Sequence, residues 1–350
     1  MRISTALLFF TLSLASFSGA YAKGEIQKRT QPTMDKDAKV FVAGHRGLVG
    51  SALMRELERQ GYTNIVTRTH AQVDLCDPVA VDNFFSSQVR SMSGSIEYIF
   101  LAAAKVGGIW GNYKNPVPFI RDNILIEMNV IDAAHRYDVT KLIFLGSSCI
   151  YPKFCQQPIK EEYLLTGELE PSNEHYAIAK IAGIKACQAY NRQYGTNFIA
   201  CMPTNLYGPC DNFDLETSHV LPALLSKFYT AKKEGRDSVV VWGTGTPYRE
   251  FLYIDDLASA VVHLMNYYDG NEIVNVGTGK DITIGDVARV IKEVVGFEGN
   301  IVFDTKKSDG APRKLLDVSR LRNLGWQAST ALRDGIQKTL DWCIKEGIFQ

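Results

Sequence analysis

The feature that most constrains the fold is a short apolar segment that runs into three evenly spaced glycines. Val40–Ala43 is an apolar run that predicts a buried strand, and residues 51–60 have the pattern of an amphipathic helix. Gly44, Gly47 and Gly50 lie in the loop between them. A strand, a glycine loop and a helix in this order let backbone N–H groups meet a pyrophosphate at the helix N-terminus. The spacing G-x-x-G-x-x-G departs from the strict dinucleotide fingerprint, so the alternative is an ordinary turn.

Two arginines near this loop bear on which dinucleotide would bind. A second strand is predicted over residues 64–67, and Arg68 follows it. An acidic residue about 20 positions after the glycines would bind the ribose 2′-hydroxyl of NAD. Here Arg68 takes that place and Arg46 lies inside the glycine loop, which favours the 2′-phosphate of NADP. The alternative is that both arginines are ordinary surface residues.

Beyond this point, strands and helices are predicted to alternate. A third short strand is expected just before residues 74–77, which could reach the adenine edge of the site. A fourth strand is expected over 96–103, and a glycine-containing loop follows at 104–109. A helix over 119–137 and a strand at Lys141–Leu145 come next. The alternation predicts an α/β fold with a doubly wound parallel sheet (Rossmann), whose ligands lie at the carboxyl ends of the strands.

A serine, a tyrosine and a lysine follow in an arrangement that suits proton transfer. Ser147 comes directly after the Lys141–Leu145 strand and Gly146, and Tyr176 and Lys180 share one face of a predicted helix. A phenol ordinarily titrates near ~10, and the nearby ammonium is expected to lower its pKa. Such a phenol can exchange a proton with a substrate oxygen while the Ser147 hydroxyl hydrogen-bonds the same carbonyl. A Tyr-x-x-x-Lys pair alone also fits a solvated helix face, but the coincidence with the serine is more specific.

The C-terminal part is predicted to form a smaller α/β domain that binds the substrate. We expect a dinucleotide-binding Rossmann domain over 38–209, to which 251–279 return, and a substrate domain over 210–250 and 280–350. The predicted elements of this part are helices at 221–233, 257–267 and 283–295 and strands at 238–242, 272–276 and 300–304.

Arg249 and Arg313 are candidate phosphate ligands in this part of the chain, because a guanidinium can pair with phosphate through two hydrogen bonds. Ordinary surface salt bridges are the alternative for both. Trp242 could stack on a base or simply fill the core.

The first residues have the form of a secretory signal peptide. Arg2 precedes an apolar run over 6–17, and Ala20-Tyr21-Ala22 offers a small-x-small cleavage site. We expect residues 1–22 to be a signal peptide and 23–37 to be a polar linker. The alternatives are a misplaced start or an uncleaved anchor.

Composition excludes several classes of function. The 38 basic residues balance the 38 acidic ones, and no long basic run indicates a nucleic-acid surface. The seven cysteines are widely spaced and form no C-x-x-C pair, so neither a zinc site nor a disulfide framework is predicted. The apolar leader is short for a membrane span, so no stable membrane contact is expected of the mature chain.

Together these motifs resemble the extended short-chain dehydrogenase/reductase family, and within it the GDP-L-fucose synthases. The resemblance runs from about Val40 to Trp342. The segments that carry it are AGHRG (43–47), AAAKVGGI (102–109), LGSSCIYP (145–152), YAIAKIAG (176–183), MPTNLYGP (202–209), SHVLPALL (218–225), WGTGTP (242–247) and PRKLLD (312–317).

The resemblance implies an enzyme that epimerises GDP-4-keto-6-deoxy-D-mannose at C3 and C5 and then reduces the C4 ketone with NADPH, giving GDP-L-fucose. It implies that Cys149 and His219 are the epimerisation base and acid, and that Ser147, Tyr176 and Lys180 serve the reduction. A thiol and an imidazole suit proton transfer because both titrate near neutrality. From the residues alone, Cys149 could equally be a buried structural thiol and His219 a helix cap. The resemblance also implies a homodimer formed by helices of the nucleotide domain. It implies a cytoplasmic location as well, whereas the N-terminal leader indicates the secretory pathway.

The resemblance further implies the residues that contact NADP(H) and the GDP-sugar. The NADP(H) contacts are Gly44, His45, Arg46, Gly47, Leu48, Val49, Gly50, Arg68, His70, Asp74, Leu75, Leu145, Gly146, Ser148, Lys180, Pro203, Thr204, Asn205, Leu206 and His219. The GDP-sugar contacts are Lys227, Trp242, Arg249 and Asp309. Members of the family often have arginine in place of His70 and Lys227. The change at His70 slightly weakens the case for a 2′-phosphate. Lys227 keeps a cation for the diphosphate but loses the two parallel hydrogen bonds that a guanidinium can donate. The alternatives are a sister enzyme that only reduces the ketone or epimerises C4 with tightly held NAD, and a non-catalytic dinucleotide sensor.

Overall fold

The computed structural model describes residues 33–349, so the predicted signal peptide and the linker up to residue 32 lie outside the described residues. Within 33–349, no helix combines the length and apolar composition that crossing a membrane requires.

The strands and helices follow in order along the chain. The strands are β1 (Val40–Ala43), β2 (Ile65–Val66), β3 (Tyr98–Leu101), β4 (Lys141–Leu145), β5 (Phe198–Pro203), β6 (Asn205–Tyr207), β7 (Ser238–Trp242), β8 (Tyr248–Tyr253), β9 (Val274–Val276), β10 (Asp281–Thr283), β11 (Asn300–Asp304) and β12 (Arg313–Lys314). The helices are α1 (Leu48–Arg59), α2 (Pro78–Val89), α3 (Ile109–Lys114), α4 (Pro116–Arg136), α5 (Glu174–Tyr194), α6 (Val220–Lys233), α7 (Ile254–Tyr267), α8 (Ile284–Val295), α9 (Ser319–Asn323) and α10 (Leu332–Lys345).

The central sheet has six parallel strands in the order β2-β1-β3-β4-β5-β9, with helices on both faces. Successive residues of β1 point to opposite faces, so Phe41 and Ala43 enter one core and Val40 and Val42 the other. The first core lies under α2, α4 and α5, and the second lies under α1, α7 and α9. This arrangement confirms the predicted doubly wound parallel sheet.

One predicted strand of this sheet is wrong. No strand forms in the stretch before Asp74; instead the backbone N–H groups of Gln72 and Val73 both donate to the carbonyl of Thr69, each at 3.0 Å. The segment is a tight turn because its polar residues face solvent and only Val73 is buried. The predicted strand over 272–276 does form as β9, which pairs with β5.

The remaining strands form two smaller sheets. β8 pairs with β6 and β12 in parallel and with β10 in antiparallel fashion, and β7 pairs with β11 in parallel. Helices α6, α8 and α10 cover these strands with a third core that includes Phe228, Ile291 and Ile336. Because β6 follows β5 directly, the smaller sheets lie against the carboxyl edge of the central sheet.

Candidate active site

The glycine loop between β1 and α1 is tightly packed against its own backbone. Gly44 has φ +86°, and a Cβ on it would lie 2.8 Å from the Cα of Ala103. A Cβ on Gly50 would lie 2.1 Å from the carbonyl oxygen of Gly44. Gly47 is the N-cap of α1, no side chain caps this helix end, and its first turn holds no acidic residue. Within residues 33–349, the first amides of α1 thus have no capping side chain, and they suit a pyrophosphate.

Two arginines and a histidine lie in this loop or after β2, the strand that pairs with β1. Arg46 is exposed, and the Arg68 guanidinium lies 5.2 Å from the centroid of the Phe84 ring and donates to the carbonyl of Thr67 at 2.7 Å. His70 is also exposed, and its Nδ1 lies 3.5 Å from a carboxylate oxygen of Asp74. The two arginines thus remain available to a 2′-phosphate, whereas His70 and Asp74 face each other.

Further predicted cofactor residues lie where the strands of the central sheet end. Leu48 and Val49 pack on the second core, and Leu75 packs on the first. The ring of His45 is partly buried, and this burial and the charge of Arg46 both lower the pKa of its imidazole. After β4, Leu145 and Ser148 are buried, and the N–H of Gly146 donates to the carbonyl of Cys201 at 2.9 Å. The positions in question are His45, Leu48, Val49, Leu75, Leu145, Gly146 and Ser148.

The segment at the end of β5 is hydrogen-bonded both to β9 of the central sheet and to β8 of a smaller sheet. The N–H of Thr204 donates to the carbonyl of Val276, and the Asn205 side-chain amide donates to the carbonyl of Glu250 at 2.8 Å. Pro203 and Leu206 flank them on β5 and β6. The predicted cofactor residues at 203–206 therefore lie at the seam between the central sheet and β8.

Tyr176 and Lys180 lie on α5 as predicted, but the lysine has a partner that the sequence analysis did not identify. The Lys180 ammonium lies 3.1 Å from a carboxylate oxygen of Glu127 on α4 and 5.8 Å from the centroid of the Tyr176 ring. The pKa of the Tyr176 phenol is raised well above its ordinary value, first by burial and then by electrostatic interaction with Cys149 and with the Glu127 carboxylate. The expectation of a lowered pKa is wrong here, because burial disfavours the charged phenolate.

Ser147 and Cys149 occupy a short 3-10 turn at the end of β4, against which α5 packs. The Ser147 hydroxyl oxygen accepts from the N–H of Cys149 at 3.3 Å. Burial raises the pKa of the Cys149 thiol, while the charges of Lys314 and Lys180 and a hydrogen bond with Ser147 oppose that rise. The thiol is therefore neutral at rest, contrary to the expectation that it titrates near neutrality, and it must release its proton before it can accept one from carbon.

His219 occupies the N-cap position of α6, yet its side chain makes no capping hydrogen bond. The ring lies in an open cleft, where reduced hydration and then the charge of Lys314 lower the pKa of the imidazole. The loop before it is tied to the central sheet, because the N–H of Gly108 donates to the carbonyl of Thr217 at 2.8 Å. A Cβ on Gly108 would lie 2.8 Å from the carbonyl oxygen of Ser218, so the glycine permits this close approach.

The predicted substrate residues cluster around the end of β7. Trp242 is half exposed, and the Lys227 ammonium lies 5.0 Å from the centroid of its ring system. The Asp309 carboxylate accepts from the N–H of Thr244 at 2.7 Å, and the Arg249 guanidinium reaches the carbonyl of Asp309 at 3.5 Å. Burial lowers the pKa of both Arg249 and Lys227, so these cations stand in a poorly hydrated cleft that suits a diphosphate.

Arg313, the other candidate phosphate ligand, does not join this cluster. Its guanidinium pairs with the Asp281 carboxylate through two contacts at 2.5 and 3.2 Å on the exposed side of β12. The next residue, Lys314, is paired in register with Arg249, and its charge lowers the pKa of the His219 imidazole and opposes the rise in the pKa of Cys149.

Three buried or half-buried polar residues were missed by the sequence analysis. The Asn123 amide accepts from the N–H of Lys105 and donates to its carbonyl, which fixes the loop after β3. Glu127 lies one turn further along α4, also on the buried face. Two polar residues at i and i+4 in an otherwise apolar stripe were the available signal for this pair. Lys314, next to Arg313 in the PRKLLD segment, was overlooked because the two-residue strand β12 is too short to show a periodic pattern.

Comparison with known proteins agrees with this geometry. Residues 40–277 match the NAD dependent epimerase/dehydratase family. GDP-L-fucose synthase 1 of Arabidopsis thaliana is 57% identical over 311 residues, which cover 89% of this chain and 94% of the relative. GDP-L-fucose synthase of Escherichia coli (strain K12) is 52% identical over 318 residues, which cover 88% and 97%.

A solved structure adds the third comparison. The NADP-bound GDP-L-fucose synthetase from Naegleria fowleri superposes with a TM-score of 0.84 at 30% sequence identity, and the match covers 92% of this chain and 99% of that one. The chain belongs to the NAD dependent epimerase/dehydratase family and, within it, to the GDP-L-fucose synthases.

Proposed function

We propose that this protein converts GDP-4-keto-6-deoxy-D-mannose into GDP-L-fucose, by inverting C3 and C5 and then reducing the C4 ketone with NADPH. The observation that carries the proposal is that Cys149 and His219 both lie at the carboxyl edge of the central sheet. Cys149 follows β4, and the hydrogen bond from the N–H of Gly108 to the carbonyl of Thr217 holds the loop before His219 near the end of β3. Two groups able to move protons therefore lie at the edge that also holds Ser147, against which the Tyr176 helix α5 packs. A reductase without epimerase activity has no need of this second pair.

The epimerisation needs a base and an acid on opposite faces of the sugar. The C4 ketone acidifies the hydrogens on C3 and C5, so one group removes a proton and the electron pair moves onto the ketone oxygen. The hydroxyls of Ser147 and Tyr176 donate hydrogen bonds to this enediolate oxygen. The partner group then returns a proton to the other face of the same carbon, which inverts it. Cys149 and His219 take these two roles, and the nearby Lys314 charge favours the thiolate.

The reduction uses the same oxygen site. When bound, NADPH supplies the hydride that C4 receives. The Tyr176 phenol gives its proton to the C4 oxygen, and its raised pKa keeps it protonated, and so able to donate, at neutral pH. The Lys180 ammonium then lies near the phenolate that remains and stabilises its charge.

The cofactor and the GDP-sugar are bound by different parts of the chain. Residues 38–209 with 251–279 hold the cofactor through the glycine loop, and 210–250 with 280–350 hold the GDP-sugar. The tight glycine loop and the uncapped start of α1 support the first assignment. The cations around Trp242 support the second, because Lys227 and Arg249 suit the diphosphate and the exposed indole suits the base.

The test is a reaction with purified protein, GDP-4-keto-6-deoxy-D-mannose and either NADPH or NADH. We expect oxidation of NADPH in preference to NADH, with GDP-L-fucose as the product identified by NMR. A product that is reduced at C4 but keeps its C3 and C5 configurations would instead identify a sister reductase. Consumption of neither cofactor with any GDP-sugar would favour a dinucleotide-sensing role.

Two further features belong to this proposal. We infer a homodimer formed through α4 and α5, because Leu125 and Ile178 leave more than a third of their surface exposed on these helices. Light scattering of the purified protein tests this, and a monomer contradicts it. We also infer that residues 1–22 act as a signal peptide, which N-terminal sequencing of the mature protein tests. A mature chain that retains residue 2 would contradict the cleavage of this segment.

A further inference from the structure

A carboxylate lies sealed behind the catalytic lysine. Glu127 on α4 is 1% exposed and Lys180 on α5 is 2% exposed, and Oε1 of the carboxylate lies 3.1 Å from the ammonium. Apart from this ammonium, neither oxygen of Glu127 has a hydrogen-bond partner in the part of the chain that the structure describes. The ring of Phe144 covers the ammonium with its centroid 4.6 Å away. The two charges therefore balance each other in a place from which water is excluded.

The helix that carries Lys180 is shaped around this carboxylate. Gly183 lies in the middle of α5, where a glycine weakens a helix relative to alanine. A Cβ at this position would lie 2.7 Å from Oε2 of Glu127 and 2.5 Å from the Phe144 ring. The glycine thus leaves the space that the carboxylate and the ring occupy.

A buried ion pair is weak evidence for stability, because an apolar pair of similar volume often serves a core equally well. The Glu127–Lys180 pair lies next to the Tyr176 phenol, which indicates a role in the reaction instead. The charge of Glu127 reaches Tyr176 as well as Lys180, and Cys149 faces the same phenol from the end of β4. Cys187, one turn beyond Gly183, is the other titratable group that senses the carboxylate.

We propose that Glu127 is a positioning residue for the reduction, whose carboxylate fixes the Lys180 ammonium beside the Tyr176 phenol and balances its charge. The proposal rests on the proposed function for its kinetic test. Without the carboxylate, the ammonium would be free to turn, and its positive charge would act on the phenol unopposed. The phenol would then lose its proton at lower pH, so at alkaline pH a smaller fraction of the enzyme could donate that proton to the C4 oxygen.

The kinetic test is the pH dependence of NADPH oxidation by Glu127→Gln, which keeps the shape of the side chain. We expect kcat to fall on the alkaline side about one pH unit earlier than in the wild type, with the KM for the GDP-sugar unchanged. Glu127→Asp should restore part of the shift. Asp132→Asn on the same helix removes a half-exposed carboxylate paired with Arg136 and should leave the profile unchanged. A Glu127→Gln profile that overlays that of the wild type overturns the proposal.

A second measurement needs no substrate, so it separates this proposal from the proposed function. Thermal melting of Glu127→Gln, Lys180→Met and the double variant forms a double-mutant cycle. We expect each single change to lower the melting temperature by roughly 5–15 °C and the double change to lower it no further than either single one. Additive losses would show that the two side chains are not coupled, and the proposal would fall whatever the enzyme's substrate.

Discussion

Replacing Gly50 by alanine tests whether the glycine loop is built as the structure indicates. Gly50 lies in the first turn of α1, where helix propensity alone predicts that alanine stabilises by about 1 kcal/mol. The added Cβ, however, would lie 2.1 Å from the carbonyl oxygen of Gly44 and 2.6 Å from its carbonyl carbon. Both are backbone atoms, so the loop itself must move to relieve the overlap. The structure therefore predicts the opposite sign from helix propensity.

The size of the effect follows from the overlap. Forcing one extra carbon into a packed site costs about 1–3 kcal/mol. In a domain of this size, we expect the melting temperature to fall by roughly 3–10 °C. Because the same loop carries the amides that would meet the pyrophosphate, the Kd for NADPH should rise by about tenfold or more.

Gly47→Ala is the matched control. Its Cβ would lie 3.6 Å from the carbonyl oxygen of Gly44, and its φ of −80° suits alanine. We expect its loss of stability to stay below about 1 kcal/mol. The assay is thermal melting without cofactor, followed by a fluorescence titration with NADPH. If Gly50→Ala melts together with the wild type and Gly47→Ala, the close packing of this loop is refuted.

Three other outcomes are expected. Removing both Arg46 and Arg68 should weaken NADPH binding by at least about tenfold in a titration and leave NADH binding almost unchanged, since only NADPH carries the 2′-phosphate. Trp242→Ala should raise the KM for the GDP-sugar about tenfold, because stacking on a base is worth about 1–3 kcal/mol, while the NADPH titration stays as in the wild type. Burial raises the pKa of Asp211 to about 7 from 3.8, so its stabilising contribution is complete below pH 3.8 and is lost as the pH rises through 7. The melting temperature of Asp211→Asn relative to the wild type should therefore rise between pH 5 and pH 8, and a constant difference would contradict that assignment.

Much of the fold follows from local patterns in the chain. The strands Lys141–Leu145, Ser238–Trp242 and Asn300–Asp304 form with their predicted bounds because each is a short apolar or β-branched run between polar flanks. The stretch before Asp74 failed as a strand because one buried valine in a polar segment cannot compete with a tight turn.

The candidate site was predictable where topology alone brings residues together. The carboxyl ends of parallel strands share one edge, so the glycine loop after β1 and Ser147 after β4 were expected at the same ligand-binding edge of the sheet. The pairing of Glu127 with Lys180 depends instead on how α4 packs against α5, and sequence spacing carries no record of that contact. The predicted direction of the Tyr176 pKa was wrong because burial of the phenol raises it, and the i, i+4 spacing carries no record of that burial.

The central claim is that Cys149 and His219 move protons at the carbons on either side of one ketone. Its most direct test is NMR of GDP-4-keto-6-deoxy-D-mannose in deuterated water with the wild type and with Cys149→Ser. We predict that the wild type exchanges the hydrogens on C3 and C5, and that Cys149→Ser stops the exchange and yields no GDP-L-fucose. Exchange at both carbons by Cys149→Ser at the wild-type rate would contradict the account.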